Sequence, residues 1–245
     1  MESESDNQIS IKQSLKHYLL KNHPSWLAAY DYYLKPSLKS SWGGPFNGQE
    51  GRQEIFRELV AKIPFQMIVE TGTYRGTTTE FLAKESGLPV CTVETEPRFY
   101  HYARRRLRGR KHIRLELGDS REFIAKLVRD AALPKKDVFF YLDAHWQEDL
   151  PLRQEIEIIV KFWQGVCIMI DDFQVPGDDG YAYDDYGLDK RLCLDYLEPL
   201  SQFGLTAFAP SLPSSRETGG KRGCVVLGDE GHAARLRGIQ TLRGA

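Results

Sequence analysis

The chain has 245 residues, enough for one large domain or for one domain with a helical appendage. Apolar residues at 41% and charged residues at 27% are ordinary for a soluble globular protein. Its formal charge of −1 supplies no global field toward nucleic acid or anionic lipid. Val166 to Ile170, an apolar run of five, falls far short of the roughly 18 residues that cross a bilayer.

The N-terminus, Met1 to Gln8, is acidic and polar, which is unlike a secretory signal and reads as disordered. Cys91, Cys167 and Cys224 sit in apolar runs and Cys193 in a helical one, with no CxxC spacing. Neither a zinc site nor a disulfide framework is suggested, so the expectation is a cytoplasmic protein with reduced, buried thiols. Ile9 to Leu20 carries Ile11, Leu15, Tyr18 and Leu19 at helical spacing. His23-Pro24 ends it, and Ser25 to Leu34 predicts a second helix. Ser40 to Gly48 is a turn-rich loop holding Trp42 and Phe46, and Gln49 to Lys62 predicts a third helix. Residues 1–62 are therefore expected as an N-terminal helical extension with a cap loop, and 63–245 as the ligand-binding domain.

From Met67 the pattern changes to strict alternation. Strands are predicted at Met67–Glu70, Val90–Glu94, Ile113–Leu117, Val138–Leu142 and Val166–Ile170, with helices near 76–86, 97–108, 120–130 and 151–163. Short apolar strands separated by helices of 10–15 residues mean βαβ units and a parallel sheet covered on both faces. After a helix near 188–203, Leu205–Ala209 and Cys224–Leu227 read as an antiparallel hairpin appended to that sheet. The expected fold is α/β: a Rossmann-like, doubly wound, mostly parallel sheet of seven strands with an antiparallel C-terminal hairpin and an N-terminal helical extension.

Ligands of such sheets bind at the carboxyl ends of the strands, and here each strand ends in distinctive residues. The first runs into Glu70-Thr71-Gly72-Thr73-Tyr74-Arg75-Gly76-Thr77, where Gly72 and Gly76 allow a tight turn and close approach of a ligand. Thr77 then opens a helix whose first amides can face a carboxylate. The spacing is not GxGxxG, which counts against a dinucleotide. The second strand ends in Glu94, whose two oxygens suit the paired hydroxyls of a ribose or the cap of the next helix. The third leads to Gly118-Asp119-Ser120, where the acid can accept an adenine amino hydrogen or serve as a helix N-cap.

Taken together, these strand ends resemble class I S-adenosylmethionine-dependent methyltransferases over residues 65–228. Glu70-x-Gly72-x-x-x-Gly76, with Thr73, Tyr74 and Thr77 in the turn, matches that family's first motif, Glu94 its ribose acid, and Asp119 with Ser120 its adenine contact. The fourth strand ends in Asp143-Ala144-His145-Trp146 and the fifth in Asp171-Asp172. Acids at two neighbouring strand ends can share a hard cation such as Mg²⁺. This is similar to metal-dependent O-methyltransferases, including catechol O-methyltransferase and the macrocin O-methyltransferase and cephalosporin hydroxylase-like groups. The resemblance implies S-adenosylmethionine as cofactor, Asp143, Asp171 and Asp172 as metal ligands, Asp143 also beside the cofactor, and a small-molecule hydroxyl as acceptor. Where catechol O-methyltransferase has a lysine base, this chain offers His145 or Gln147, and its fifth strand ends Asp-Asp rather than Asp-Asn. Because Asp171 and Asp172 point to opposite faces of a regular strand, both reach one ion only if the chain curls directly after Ile170.

Two charge runs complete the reading. Residues 171–189 hold seven aspartates together with Tyr181, Tyr183 and Tyr186, a substrate lid or a solvated acidic loop. Arg104 to Lys111 reads as a solvated helix face, with a phosphate-binding patch as its alternative. No nucleic acid or membrane partner is expected, and a homo-oligomer stays open. The competing readings on the same fold are a cephalosporin hydroxylase-like enzyme, a nicotinamide-dependent oxidoreductase and a non-catalytic binding module using the arginine run.

Overall fold

The computed structural model describes residue 18 and residues 22–145, 149–187 and 189–245. The expected disorder over 1–8 and nearly all of the helix expected over 9–20 lie outside the described residues, as do Trp146 and Gln147. Ahead of the sheet come α1 (Pro24–Leu34), two 3₁₀ segments at Pro36–Gly43 and Pro45–Gly48, and α2 (Glu50–Lys62). The apolar runs then form β1 (Met67–Thr71), β2 (Val90–Glu94), β3 (Ile113–Leu117), β4 (Lys136–Leu142) and β5 (Gln164–Asp171). Between them run α3 (Thr77–Ser86), α4 (Pro97–Arg106), α5 (Ser120–Arg129) and α6 (Leu152–Phe162). These five strands are parallel and lie in the order β3-β2-β1-β4-β5, so the strand order reverses beside β1.

The C-terminal pair behaves as the two later apolar runs predict. Strands β6 (Thr206–Pro210) and β7 (Cys224–Gly228) are antiparallel, and β7 is the one that pairs with β5. An eighth strand, β8 (Leu242–Gly244), lies outside the expected seven and pairs with the far side of β6. At three residues it carries no alternation that a periodicity could register. The helix expected over 188–203 is also shorter. One α-turn, α7 (Leu194–Leu197), passes into a 3₁₀ segment at Glu198–Phe203, where Pro199 has no amide to continue an α-ladder.

Alternation along the strands sends neighbouring residues into two cores. Val69, Phe140, Ile168 and Val225 meet Ile124 and Ile156 of α5 and α6 on one face. Ile68, Phe139, Met169 and Val226 meet Phe46, Ile55, Phe56 and Leu59 on the other, so α2 shares the core of the sheet. Full burial of a side chain such as Phe56 contributes roughly 1.5–3 kcal/mol relative to exposure.

Helix α1 docks on α4 through polar contacts. The buried Asp31 accepts from Lys35 at 2.9 Å and from Arg98 Nε at 2.8 Å. Arg105 reaches the Ser25 carbonyl at 3.1 Å, Arg106 pairs with Glu80 at 3.1 Å, and Arg110 pairs with the same glutamate. The run Arg104–Lys111 is thus more than a solvated face, because three of its arginines hold the N-terminal segment and α3. Arg104 and Arg108 remain exposed. Removing both side chains should leave thermal unfolding within about 0.5 kcal/mol of the parent, whereas Arg105→Ala should cost about 1 kcal/mol. Equal losses in the two variants would refute this division of the run.

Among the described residues no helix is long and apolar enough to cross a membrane. The four cysteines are free and buried.

Candidate functional site

The turn after β1 is shaped by a close approach. Gly72 has φ +84°, and a Cβ there would lie 2.2 Å from the carbonyl oxygen of Asp143. Only glycine lets the β4 end press against this turn. The amides of Gly72 and Thr73 both donate to the Val93 carbonyl at 3.1 Å, and Tyr74, at φ +49°, donates its amide to Glu94 Oε2 at 2.6 Å. Gly76, at φ +73°, opens α3 with no side-chain cap. The first-turn amides of a helix have no partners inside it, so an anion can be held there. The Arg75 guanidinium stacks over Tyr74, Phe99 and Tyr102 and donates to Ser41 Oγ at 2.8 Å, tying the cap loop to the turn. Phe46 is buried in the core and its amide meets Thr78 Oγ1 at 3.2 Å, while Trp42 is 71% exposed.

Glu70 lies wholly inside. Thr79 and Thr92 donate to its Oε2, the latter at 2.7 Å, and its Oε1 has no hydrogen-bond partner among the described residues. Burial pushes this carboxyl up to about 7, against the pull of the two hydroxyls. The Thr77 hydroxyl is likewise buried without a partner among the described residues. An acceptor and a hydroxyl left unsatisfied beside a glycine turn fit the ammonium and carboxylate of an amino-acid moiety, the end that S-adenosylmethionine would present.

Glu94 is 7% exposed and takes one backbone amide on each oxygen, from Tyr74 and, at 2.8 Å, from Glu96. Burial raises its pKa, and each oxygen keeps a further lone pair for a ribose hydroxyl. For Asp119 the helix N-cap reading is the one the structure realises. It caps α5, accepting the amides of Arg121 at 2.8 Å and Glu122 at 3.3 Å. The Arg121 side chain wraps the same carboxylate and holds its pKa down, so an adenine amine there would share Asp119 with a guanidinium. Ser120 is buried beside it.

At the ends of β4 and β5 the structure brings together Asp143, His145 and Asp172, whose donor atoms lie within 4.8 Å of one another. Asp172 has φ +52°, a left-handed residue that turns the chain directly after β5 and puts its carboxylate on the Asp143 side. Asp171 is not part of that group. It points inward, where Arg52 Nη1 and the Tyr141 hydroxyl, the latter at 2.5 Å, donate to it. The expected set of three aspartates thus becomes two aspartates and an imidazole, because consecutive residues at the strand end face opposite ways. Asp143 is half-buried, and desolvation followed by the neighbouring Asp172 charge pushes it well above the usual carboxylate range. Among the described residues His145 Nε2 is sealed from solvent without a hydrogen-bond partner, 4.0 Å from Asp184 Oδ2. Burial lowers the His145 pKa against the pull of Asp172 and Asp184, which favours the neutral imidazole. The two carboxylates at this separation fit a divalent cation, and the imidazole nitrogen beside them offers a free lone pair to a proton.

The acidic loop is an ordered wall. Arg222, from the connection between β6 and β7, donates to Asp172 at 2.6 Å and also to Asp184. Asp178 binds the Ser214 amide at 2.8 Å, the buried Tyr181 donates to the Leu212 carbonyl at 2.9 Å, and Tyr186 donates to Asp184. Sequence reasoning passed over Arg52, Gln49, Tyr141 and Arg222. Their partners lie far off along the chain, 119 residues for Arg52 and Asp171, so no local pattern marks them.

No protein-family model matches the chain, and no curated protein matches it. Among solved structures it is similar to the O-methyltransferase from Bacillus cereus in complex with SAH, at 15% identity and TM-score 0.56, covering 89% of this chain and 97% of that one. It is also similar to cofactor-bound Rv0187 from MTB, at 20% identity and TM-score 0.51, covering 89% and 94%. A third, solved for the conversion of a disulfide bond into a thioacetal group during echinomycin biosynthesis, shares 16% identity at TM-score 0.51 over 81% and 88%. At these identities the likeness establishes the fold, which is the Rossmann-like fold of class I S-adenosylmethionine-dependent methyltransferases, mostly parallel with an antiparallel C-terminal hairpin.

Proposed function

We propose that this chain is an S-adenosylmethionine-dependent methyltransferase that transfers the methyl group to a hydroxyl of a small molecule, assisted by a divalent cation. The observation that carries the reading is the close approach of Gly72 to the Asp143 backbone, which sets the glycine turn beside the acid–imidazole group at the carboxyl end of the sheet. The unsatisfied Glu70 Oε1 and Thr77 hydroxyl receive the amino-acid end of the cofactor, Glu94 the ribose, and Asp119 with Ser120 the adenine edge. The sulfonium methyl is then directed to the space beside Asp143. Asp143 and Asp172 would hold the cation, with Mg²⁺ the ion such oxygen donors suit. When bound, a divalent cation lowers the pKa of a neighbouring hydroxyl and fixes its position. The neutral His145 imidazole accepts the acceptor's proton on Nε2, and the Arg222–Asp184 wall limits how the acceptor enters. Alignment of oxygen, methyl and sulfur can supply about 7–11 kcal/mol of the acceleration.

Calorimetry with S-adenosylmethionine tests the cofactor assignment. Glu94→Ala should weaken binding by about 1–3 kcal/mol, because a ribose hydroxyl pair loses its acceptor. Asp119→Ala should cost less, since Arg121 already competes for that carboxylate. Undiminished affinity in both variants would remove these strand ends from the site, and no binding by the parent chain would refute the methyltransferase reading itself.

A further inference from the structure

A fully buried ion pair calls for a reason, since withdrawing both charges from water offsets most of their attraction. Arg52 and Asp171 are each 1% exposed, and Asp171 is not among the grouped donors Asp143, His145 and Asp172. Asp171 gathers three donors: Arg52, the Tyr141 hydroxyl at 2.5 Å, and the backbone amide of Asp172 at 2.7 Å. The last of these holds Asp172 in the left-handed turn that swings its carboxylate toward Asp143. The Tyr141 hydroxyl, anchored on Asp171, stands 3.4 Å from Asp143 Oδ2.

A second branch leaves the same guanidinium. Arg52 Nη2 donates to the carbonyls of Arg222 and Gly223, the latter at 3.0 Å. Gln49 clasps the Arg222 backbone from both sides, its Nε2 donating to the carbonyl at 2.8 Å and its Oε1 accepting the amide at 2.9 Å. That backbone carries the side chain that binds Asp172 and Asp184. Both branches therefore start on the first turn of α2 and end on carboxylates of the cleft.

We propose that Arg52 is the positioning residue of the methyl-transfer site, acting on Asp143 and Asp172 through an Asp171–Tyr141 hub and on Asp184 through Arg222. Asp171 is the hub of this network and not a ligand of the cleft. The inference rests on the reading of that cleft as the methyl-transfer centre. An ion pair serving the fold alone would leave Asp143 in place when the Tyr141 hydroxyl is removed.

Tyr141→Phe deletes that one hydroxyl and keeps the ring that packs against Phe46. Its crystal structure, with turnover measured on an acceptor identified by transfer from labelled cofactor, is the test. The expected result is an Asp143 carboxylate rotated from its present orientation over unchanged β4 and β5 backbones. The KM for S-adenosylmethionine should stay within about twofold while kcat falls at least about tenfold, the usual consequence of a misplaced group. Arg52→Lys should displace both Asp143 and Arg222, and the double variant should lose little more than the worse single one, as members of one network do. Should Arg52→Lys fail to fold, Tyr141→Phe decides alone. An unmoved Asp143 or an unchanged kcat in Tyr141→Phe overturns the proposal. A parent chain that binds no S-adenosylmethionine overturns the methyltransferase reading instead, and the orientation of Asp143 in the two crystal structures then decides the network by itself.

Discussion

Arg52→Met is expected to destabilise the fold by about 3–5 kcal/mol, a large part of the margin of an ordinary domain. Methionine fills much of the arginine stem's volume, so the loss would come from charge and hydrogen bonding more than from a cavity. It would leave Asp171 buried with the Tyr141 hydroxyl and the Asp172 amide but no positive partner. It would also strip a donor from the carbonyls of Arg222 and Gly223, the latter in a segment where glycine is obligatory. A Cβ on Gly223 would stand 2.1 Å from the Phe173 carbonyl oxygen, so that backbone has little freedom to find another partner. Adding Asp171→Asn to Arg52→Met should recover a substantial share of the loss, because the stranded charge is then removed. Urea unfolding of the two variants measures both effects. A loss under about 1 kcal/mol in Arg52→Met would mean that solvent reaches the pair and that it contributes little to the fold.

The framework of this protein is legible because it is local. Apolar runs such as Val138–Leu142 and Val166–Ile170, spaced by amphipathic helices, locate five parallel strands, and Gly72 and Gly76 locate the tight turn between β1 and α3. The residues that finish the site are set by tertiary contacts, and there the sequence is silent. Whether Asp171 or Asp172 faces Asp143 depends on one left-handed residue, a conformation that aspartate adopts in the minority of cases and that no periodicity encodes. Arg52 looks like any polar position on an amphipathic helix until its partners, 119 and 170 residues away, are folded beside it. The arginine run after β2 shows the same limit from the other side. A solvated face and a face that grips Ser25 and Glu80 have the same composition. Strand β8 escapes notice because three residues hold no period at all.

Chelation with EDTA is expected to abolish turnover and to leave S-adenosylmethionine affinity within about twofold of its original value, with added Mg²⁺ restoring activity. The argument begins with charge. Asp143, Asp172 and Asp184 crowd one end of the cleft, and Arg222 engages only the last two. Among the described residues the Asp143 carboxylate meets the Tyr141 hydroxyl at 3.4 Å, whose proton already goes to Asp171, and burial together with Asp172 opposes its ionisation. A divalent cation between Asp143 and Asp172 would relieve that conflict, which a lone carboxylate otherwise resolves by holding its proton. The cofactor contacts proposed at Glu70, Glu94 and Asp119 belong to β1, β2 and the start of α5, so removing the ion should spare them. Asp143→Asn and Asp172→Asn should each lower turnover by roughly 10²-fold or more at saturating Mg²⁺, as loss of an ion's anchor does. Asp172 ranks with Asp143 here because its left-handed turn already carries it to the cleft, whereas Asp171 is occupied by Arg52. His145→Ala should lower turnover without weakening Mg²⁺ binding to the same degree, since its assigned task is to take the proton. Full activity in EDTA, on an acceptor verified by product mass, would remove the cation from this site. His145 would then be the metal-free base, with Asp143 orienting the acceptor hydroxyl.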